Sequence, residues 1–200
     1  EPILPENSKT ILMNEFTSRF TSAIWYDRIR TMDVTLAGEG AEANIYGAYV
    51  CGGEEKVKIS VDMHHDLPHC NSRQLFKGIA GGKSRVDFYG KIIVAQDAQR
   101  TEAYQENHNI LLSDGAKVDT KPQLEIYADD VKCSHGTAIG QLDAQQIFYM
   151  RARGLSEETA KVLLKQAFMS DVIDGVRLPA LKDRSRMLVE KRFSGADASC

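Results

Sequence analysis

Two short runs hold the residue types that bind metal or move protons. The denser is Asp62-Met63-His64-His65-Asp66-Leu67-Pro68-His69-Cys70, with three histidines, two aspartates and a thiol within nine residues. Imidazole, carboxylate and thiolate make a metal site when they converge on one point. Alternation works against convergence here, because neighbours on a strand point to opposite faces and so separate His64 from His65. A structural or hydrogen-bonding role is the preferred reading for His64, His65, His69 and Cys70. The second run is Val131-Lys132-Cys133-Ser134-His135-Gly136. Cys133 and His135 are two apart, so on a strand they share a face with Cα atoms about 6–7 Å apart. A thiolate bonding at about 2.3 Å and an imidazole at about 2.0 Å could meet there at one ion. Two ligands leave a tetrahedron half empty, so a metal held here needs donors from another strand or another chain. The competing reading is that Val131, Cys133 and His135 simply line a buried face.

Other catalytic signatures are absent from the sequence. Gly78-Ile79-Ala80-Gly81-Gly82-Lys83-Ser84 approaches a phosphate loop, but its first glycine stands one position too near and no helix pattern follows. It reads as a turn. Neither a G-x-S-x-G elbow nor an H-E-x-x-H pair occurs.

The elements that must position these residues change character along the chain. Lys56-Val57-Lys58-Ile59-Ser60-Val61-Asp62-Met63 alternates polar and apolar without a break, the mark of a strand with one buried face. Ile45-Tyr46-Gly47-Ala48-Tyr49-Val50, Phe88-Tyr89-Gly90-Lys91-Ile92-Ile93 and Ile126-Tyr127-Ala128-Asp129-Asp130-Val131 resemble one another, which suggests a strand-built repeat of about 40 residues. An open β-solenoid suits three such repeats better than a propeller, which must close a ring; chance similarity of β-rich strings is the alternative. Gly38, Gly40, Gly52, Gly53, Gly78, Gly81, Gly82 and Gly115 are expected at turns. Phe16, Phe20, Trp25 and Tyr26 suit strands at the first edge of the same solenoid.

From Asp143 onward the period is helical. Ala144–Arg153 runs into Gly154, a natural residue to follow a helix end, and Ser156 is a good N-cap with Glu157 and Glu158 behind it. Ala160, Leu163, Leu164, Ala167, Phe168 and Val172 predict one apolar stripe. A third helix is expected near Pro179, with Leu181, Leu188 and Val189 and six basic residues between Arg177 and Arg192. That basic cluster suits a solvated face, with a charged partner as the alternative. The expected division is therefore residues 1–140, a solenoid of net charge −5, and residues 141–200, a helical part of +2.

Composition bounds the rest. The 200 residues are 42% hydrophobic and 26% charged with a net charge of −3, enough for one sizeable core and without the basic excess of a nucleic-acid binder. No apolar run approaches the roughly 20 residues of a membrane helix. The chain starts at Glu1 and reads as part of a longer one. Cys51, Cys70, Cys133 and Cys200 are too scattered for a disulfide framework and suggest reduced thiols in a cytoplasmic protein.

The run from Asp119 to Gly136, DTKPQLEIYADDVKCSHG, closely resembles the signature of the SufD branch of the SufB/SufD family. Ser72-Arg73-Gln74 with Lys77-Gly78, Thr101 to Asn109, Asn109-Ile110-Leu111-Leu112-Ser113, and Phe148-Tyr149 with Arg151, Arg153 and Gly154 extend the likeness from about Thr35 to Phe168. Members of this family are usually about twice as long, and the SufB branch has a cysteine near the position of Tyr127–Ala128. The resemblance implies a right-handed parallel β-helix followed by a small helical domain, acting as a scaffold in SUF iron–sulfur cluster assembly. It implies that the helical part docks the SufC ATPase, for which Phe148, Tyr149, Arg151, Arg153, Gly154, Leu163 and Phe168 are the candidate contacts. It implies that the β-helix end pairs with SufB, or with a second copy, through Pro122, Leu124, Ile126, Asp130 and Val131. His135, with Cys133 beside it, would then face a SufB cysteine where a transient cluster forms, the partner completing the ligand set. No tightly bound cofactor is expected, although a reduced flavin belongs to related assemblies.

A non-catalytic scaffold is thus the leading expectation. The alternatives are a β-helix binding module with no metal role and a carbohydrate-active solenoid enzyme, which would need convergent carboxylates and basic residues in a groove.

Overall fold

The computed structural model describes residues 8–13 and 27–194. Phe16, Phe20, Trp25, Tyr26 and Cys200 lie outside the described residues. Among the described residues nine strands form two parallel sheets. β1 (Ser8–Met13), β3 (Glu42–Cys51), β5 (Asn71–Ala80), β7 (Glu102–Leu111) and β9 (Lys132–Gly140) make the first sheet in that order. β2 (Asp27–Leu36), β4 (Lys56–His65), β6 (Arg85–Val94) and β8 (Lys117–Ile126) make the second. The chain therefore alternates between sheets and winds a solenoid of about 4 turns, each rung contributing one strand to each sheet.

The register corrects the expected period. Glu42 pairs with Asn71, Asn71 with Glu102 and Glu102 with Lys132, so successive turns advance the chain by about 30 residues rather than 40. The three similar strings are not equivalent: Tyr46 lies in β3 of the first sheet, Tyr89 in β6 of the second, and Tyr127 in the corner after β8. Their likeness reflects a shared alternation, not a shared place in the turn.

Alternation does build the core. Ile45, Phe76, Ile59, Val61, Met63, Phe88 and Ile92 occupy every second position of their strands and point inward, leaving 0–5% of their surfaces exposed. At about 25 cal/mol per Å² of apolar surface removed from water, this inner face is the main drive for winding. Phe76 and Phe88 meet across the interior with ring centroids 4.9 Å apart. Most of the glycines expected at turns are there, but Gly78 lies inside β5. A Cβ on it would sit 2.0 Å from the Tyr49 ring, so glycine is required by that close approach and not by a turn.

Three helices follow: α1 (Ala144–Ala152), α2 (Glu157–Asp174) and α3 (Pro179–Ser194). Gly154 has φ +92°, and the Ser156 hydroxyl accepts from the Thr159 backbone N–H at 3.1 Å, as the sequence signals require. Ser156→Ala is expected to lower stability by about 1 kcal/mol, measurable as a denaturant-midpoint shift with unchanged m-value. The buried face of α2 is Ala160, Met169, Val172 and Ile173: Ala160 and Val172 belong to the predicted stripe, whereas its Leu163 and Ala167 are exposed and Met169 and Ile173 take their place. The reason is the surface that receives the helix. Met169 and Ile173 join Val189 and Phe193 of α3 over Ile79, with Ala48, Val50 and Ile110 packed around them, so the helices share a second core with the outer face of the first sheet. Lys77 of β5 is paired with Asp171 of α2 and lies 4.8 Å from the Phe168 ring, and Arg192 meets Glu55 at 3.0 Å. Part of the basic cluster thus ties the helices down; Lys182 likewise bonds Asp174 at 2.7 Å.

Candidate functional site

The Asp62–Cys70 run does not converge. His64 faces outward, 3.5 Å from Asp33, whereas His65 is fully buried with its Nε2 2.9 Å from the Ser72 hydroxyl. His69 turns the corner with φ +61°, and the Cys70 thiol points to the Gly38 carbonyl at 3.3 Å. Burial raises the Cys70 thiol above its usual range. Among the described residues no group of three or more His, Cys, Asp or Glu side chains could hold a metal ion.

Cys133 and His135 do share a face. The corner before β9 positions them: the Asp130 N–H donates to the Gln99 side chain at 2.9 Å, the Lys132 N–H to the Thr101 carbonyl at 2.9 Å, and the Lys132 ammonium to Glu102 at 2.8 Å. β9 is thereby laid on β7 with Cys133 opposite Ala103 and His135 opposite Gln105. Ala103 and Gln105 are buried inward-facing residues, so Cys133 and His135 continue their columns into the last rung. With only β7 beside it, β9 leaves Cys133 half-buried and His135 exposed. Burial pushes the Cys133 thiol up, keeping it protonated rather than an activated thiolate.

β8 ends the second sheet in the same way. Pro122, Leu124 and Ile126 occupy its inward columns, above Gly90, Ile92 and Val94, and Ile126 is 40% exposed. Pro122 lacks an N–H, which a free edge strand tolerates. Val131 packs against the main core, while Asp130 stands exposed at the corner. Tyr127 and Ile139 complete an apolar end with 63% and 47% of their surfaces open. The open end therefore combines two bare strand edges, an apolar surround and the Cys133–His135 pair.

The helical residues divide. α1 buries none of its side chains: Phe148 and Tyr149 are 72% and 59% exposed, with Arg153 stacked 4.9 Å from the Tyr149 ring. Arg151 bonds Glu157 at 3.2 Å, and Leu163 of α2 is exposed. Phe168, by contrast, is half-buried against the second core and under Lys77.

Two surface grooves are lined by described residues. One, on the second sheet, is lined by Lys58, Ser60, Tyr89 and Lys121 with Asp87 and Asp119. Both aspartates are bonded to Arg85, at 3.4 and 2.8 Å, which ties up the carboxylates a solenoid hydrolase or lyase would use. The other lies between α2 and β5–β9, around Lys77, Glu106 and His108. Neither groove presents two facing aromatic rings to sandwich a flavin.

Sequence reasoning missed the polar lining of the interior. Gln74, Gln105, Asn107 and Asn109 are buried, and Tyr49, Asn107 and Asn109 bond one another, with burial raising the Tyr49 phenol's pKa. The signal was there: Gln105, Asn107 and Asn109 stand two apart on the inward face of β7.

The family model of the SufBD core domain, SUF system FeS cluster assembly, matches residues 19–168. The iron-sulfur cluster assembly protein SufD of Escherichia coli is 44% identical over 133 residues, covering 66% of this chain and 31% of that protein. A SufBD family protein of Synechocystis is 45% identical over 181 residues, 82% of this chain and 39% of its own length. One of Mycobacterium leprae is 31% identical over 170 residues, 81% and 43%. The chain thus spans less than half the length of these relatives. No described helix is long and apolar enough to cross a membrane.

Proposed function

This chain belongs to the SufD branch of the SufB/SufD family of the SUF iron–sulfur cluster assembly system, and from that premise we propose that it is a non-catalytic scaffold subunit whose open solenoid end pairs with SufB, or with a second copy of itself. The observation that carries this reading is the last rung. Its inward columns end in Cys133 and His135 inside an apolar rim, and both of its strand edges are free. Such an end invites strand addition and burial by another chain. Two ligand-type side chains supply half a tetrahedral set, so a cluster assembled there takes its remaining ligands from the partner. His135 would bind as neutral imidazole. The raised Cys133 thiol makes it the lesser of the two candidates.

The exposed face of α1 and the start of α2, with Phe148, Tyr149, Arg151, Arg153 and Leu163, is the surface we assign to the SufC ATPase. An apolar patch rimmed by arginines on a helix with no buried residue supports that assignment. Cys51, Cys70 and Cys133 are thiols rather than disulfides, which supports a reducing, cytoplasmic setting.

His135→Ala in the complex with SufB and SufC is expected to lower cluster loading at least tenfold, read as iron and sulfide bound per complex, with the complex itself still assembling. Undiminished loading would remove His135 as a ligand and leave the scaffold reading standing. Failure of the unaltered chain to associate with either partner would overturn the scaffold reading itself.

A further inference from the structure

The column beneath His135 contains a second residue for the same site. The inward positions Ile45, Gln74, Gln105 and His135 are consecutive register partners on β3, β5, β7 and β9, so neighbouring side chains stack about 4.8 Å apart. Gln105 is 2% exposed and its Nε2 donates to the Gln74 side-chain oxygen at 2.9 Å. Its own Oε1 is buried with no hydrogen-bond partner. A buried amide oxygen without a donor is destabilising, so it is a site waiting for one.

Geometry narrows the donor. An amide that turns its nitrogen back toward the preceding rung directs its carbonyl away from it, toward the following one. Across the interior the amide lies against Gly90, where a Cβ would come within 2.4 Å of it. Above Gly90 the next rung presents Pro122, which has no N–H to give. Beside Gln105 the next rung presents His135, whose ring carries one N–H in its neutral form. We propose that Gln105 is a positioning residue for His135: when a partner chain covers the open end, the imidazole folds inward and donates its N–H to Gln105 Oε1, leaving the lone pair of the other ring nitrogen facing the partner. The Gln74 side-chain oxygen accepts from Gln105 Nε2 in this orientation, with the Gln74 Nε2 also buried and without a partner. The inference rests on the reading of His135 as a ligand and adds the group that sets its tautomer, as outer partners of metal-bound histidines commonly do.

The test uses the assembled complex, prepared free of iron, with 15N-labelled histidine in this chain. Expected is a single neutral tautomer for His135 in the unaltered complex and a mixture of both in Gln105→Met, which keeps the shape and removes the acceptor. Cluster loading should fall about tenfold in Gln105→Met, at the lower end of the 10–100-fold range for outer-shell changes. It should fall no further when Gln105→Met is added to His135→Ala, because the two act as one unit. An unchanged tautomer in a folded Gln105→Met complex overturns the proposal, as does an equal additional loss in the His135→Ala background, which would mark a general structural effect. If His135→Ala alone leaves loading intact, the ligand reading fails first and takes this inference with it.

Discussion

Phe76→Ala is expected to cost about 3–5 kcal/mol of folding stability. Phe76 is 1% exposed and fills the interior between the two sheets, against Phe88 on one side and Gly47 on the other. A Cβ at Gly47 would lie 2.2 Å from the Phe76 ring, so that glycine is the socket for the ring. Removing the ring leaves a void beside a residue with no side chain to fill it, and parallel strands held in register cannot collapse inward to close it. Denaturant unfolding with an unchanged m-value measures the loss. A double-mutant cycle sharpens it: Gly47→Ala should be strongly destabilising alone and nearly harmless once Phe76 is alanine, because the clash has gone. A loss below 1 kcal/mol for Phe76→Ala would mean that the two sheets are not packed through this ring.

Acid should weaken the fold through His65. Burial lowers its pKa from 6.5 to about 4, with Asp66 opposing and His64 assisting. The unfolded chain binds this proton below about pH 6.5, whereas the folded chain resists it until about pH 4. Stability from this residue is therefore complete above pH 6.5 and declines as the pH falls toward 4, by about 3 kcal/mol in all. The cost has a structural origin. His65 sits fully inside, its Nε2 engaged with Ser72 and its Nδ1 without a partner, so an added proton would be a buried charge with nothing to accept it. Unfolding free energies measured between pH 7 and 4 on the unaltered chain and on His65→Gln should diverge by that amount, the variant having the flatter profile. Parallel profiles would show that His65 does not control acid stability.

Much of the fold was legible because it follows from alternation. Lys56–Met63 announced β4, and the Gly154 and Ser156 signals marked the junction of α1 and α2. The turn length was not legible, since the two sheets use the same alternating grammar and a match between strings does not say which sheet each belongs to. Gly78 was mistaken for a turn because its requirement comes from Tyr49, which is remote in sequence. The stripe of α2 was legible at Ala160 and Val172 but not at Met169 and Ile173, whose burial comes from packing on Ile79 of the sheet. At the site, the shared face of Cys133 and His135 was legible from a spacing of two. The buried amides Gln105, Asn107 and Asn109 share that same spacing of two, but their polar side chains do not themselves say which face of the strand turns inward.

The attachment of the helices also has a mechanical meaning. α2 and α3 are bolted to β3 and β5 through Ile79, Met169 and Ile173, and through the Lys77–Asp171 and Arg192–Glu55 ties. Whereas α1 is joined to β9 directly by residues 141–143, a load applied to α2 and α3 enters the solenoid at β5, two strands and roughly 10 Å short of the terminal strand β9. From there it must travel across the β5–β7 and β7–β9 ladders, whose hydrogen bonds lie in series along the stack. Tilting the helices would swing the end as one lever arm without prying β9 from β7. The stiffness of those two ladders, together with that of the 141–143 link, then determines how much of any displacement of the helices reaches His135.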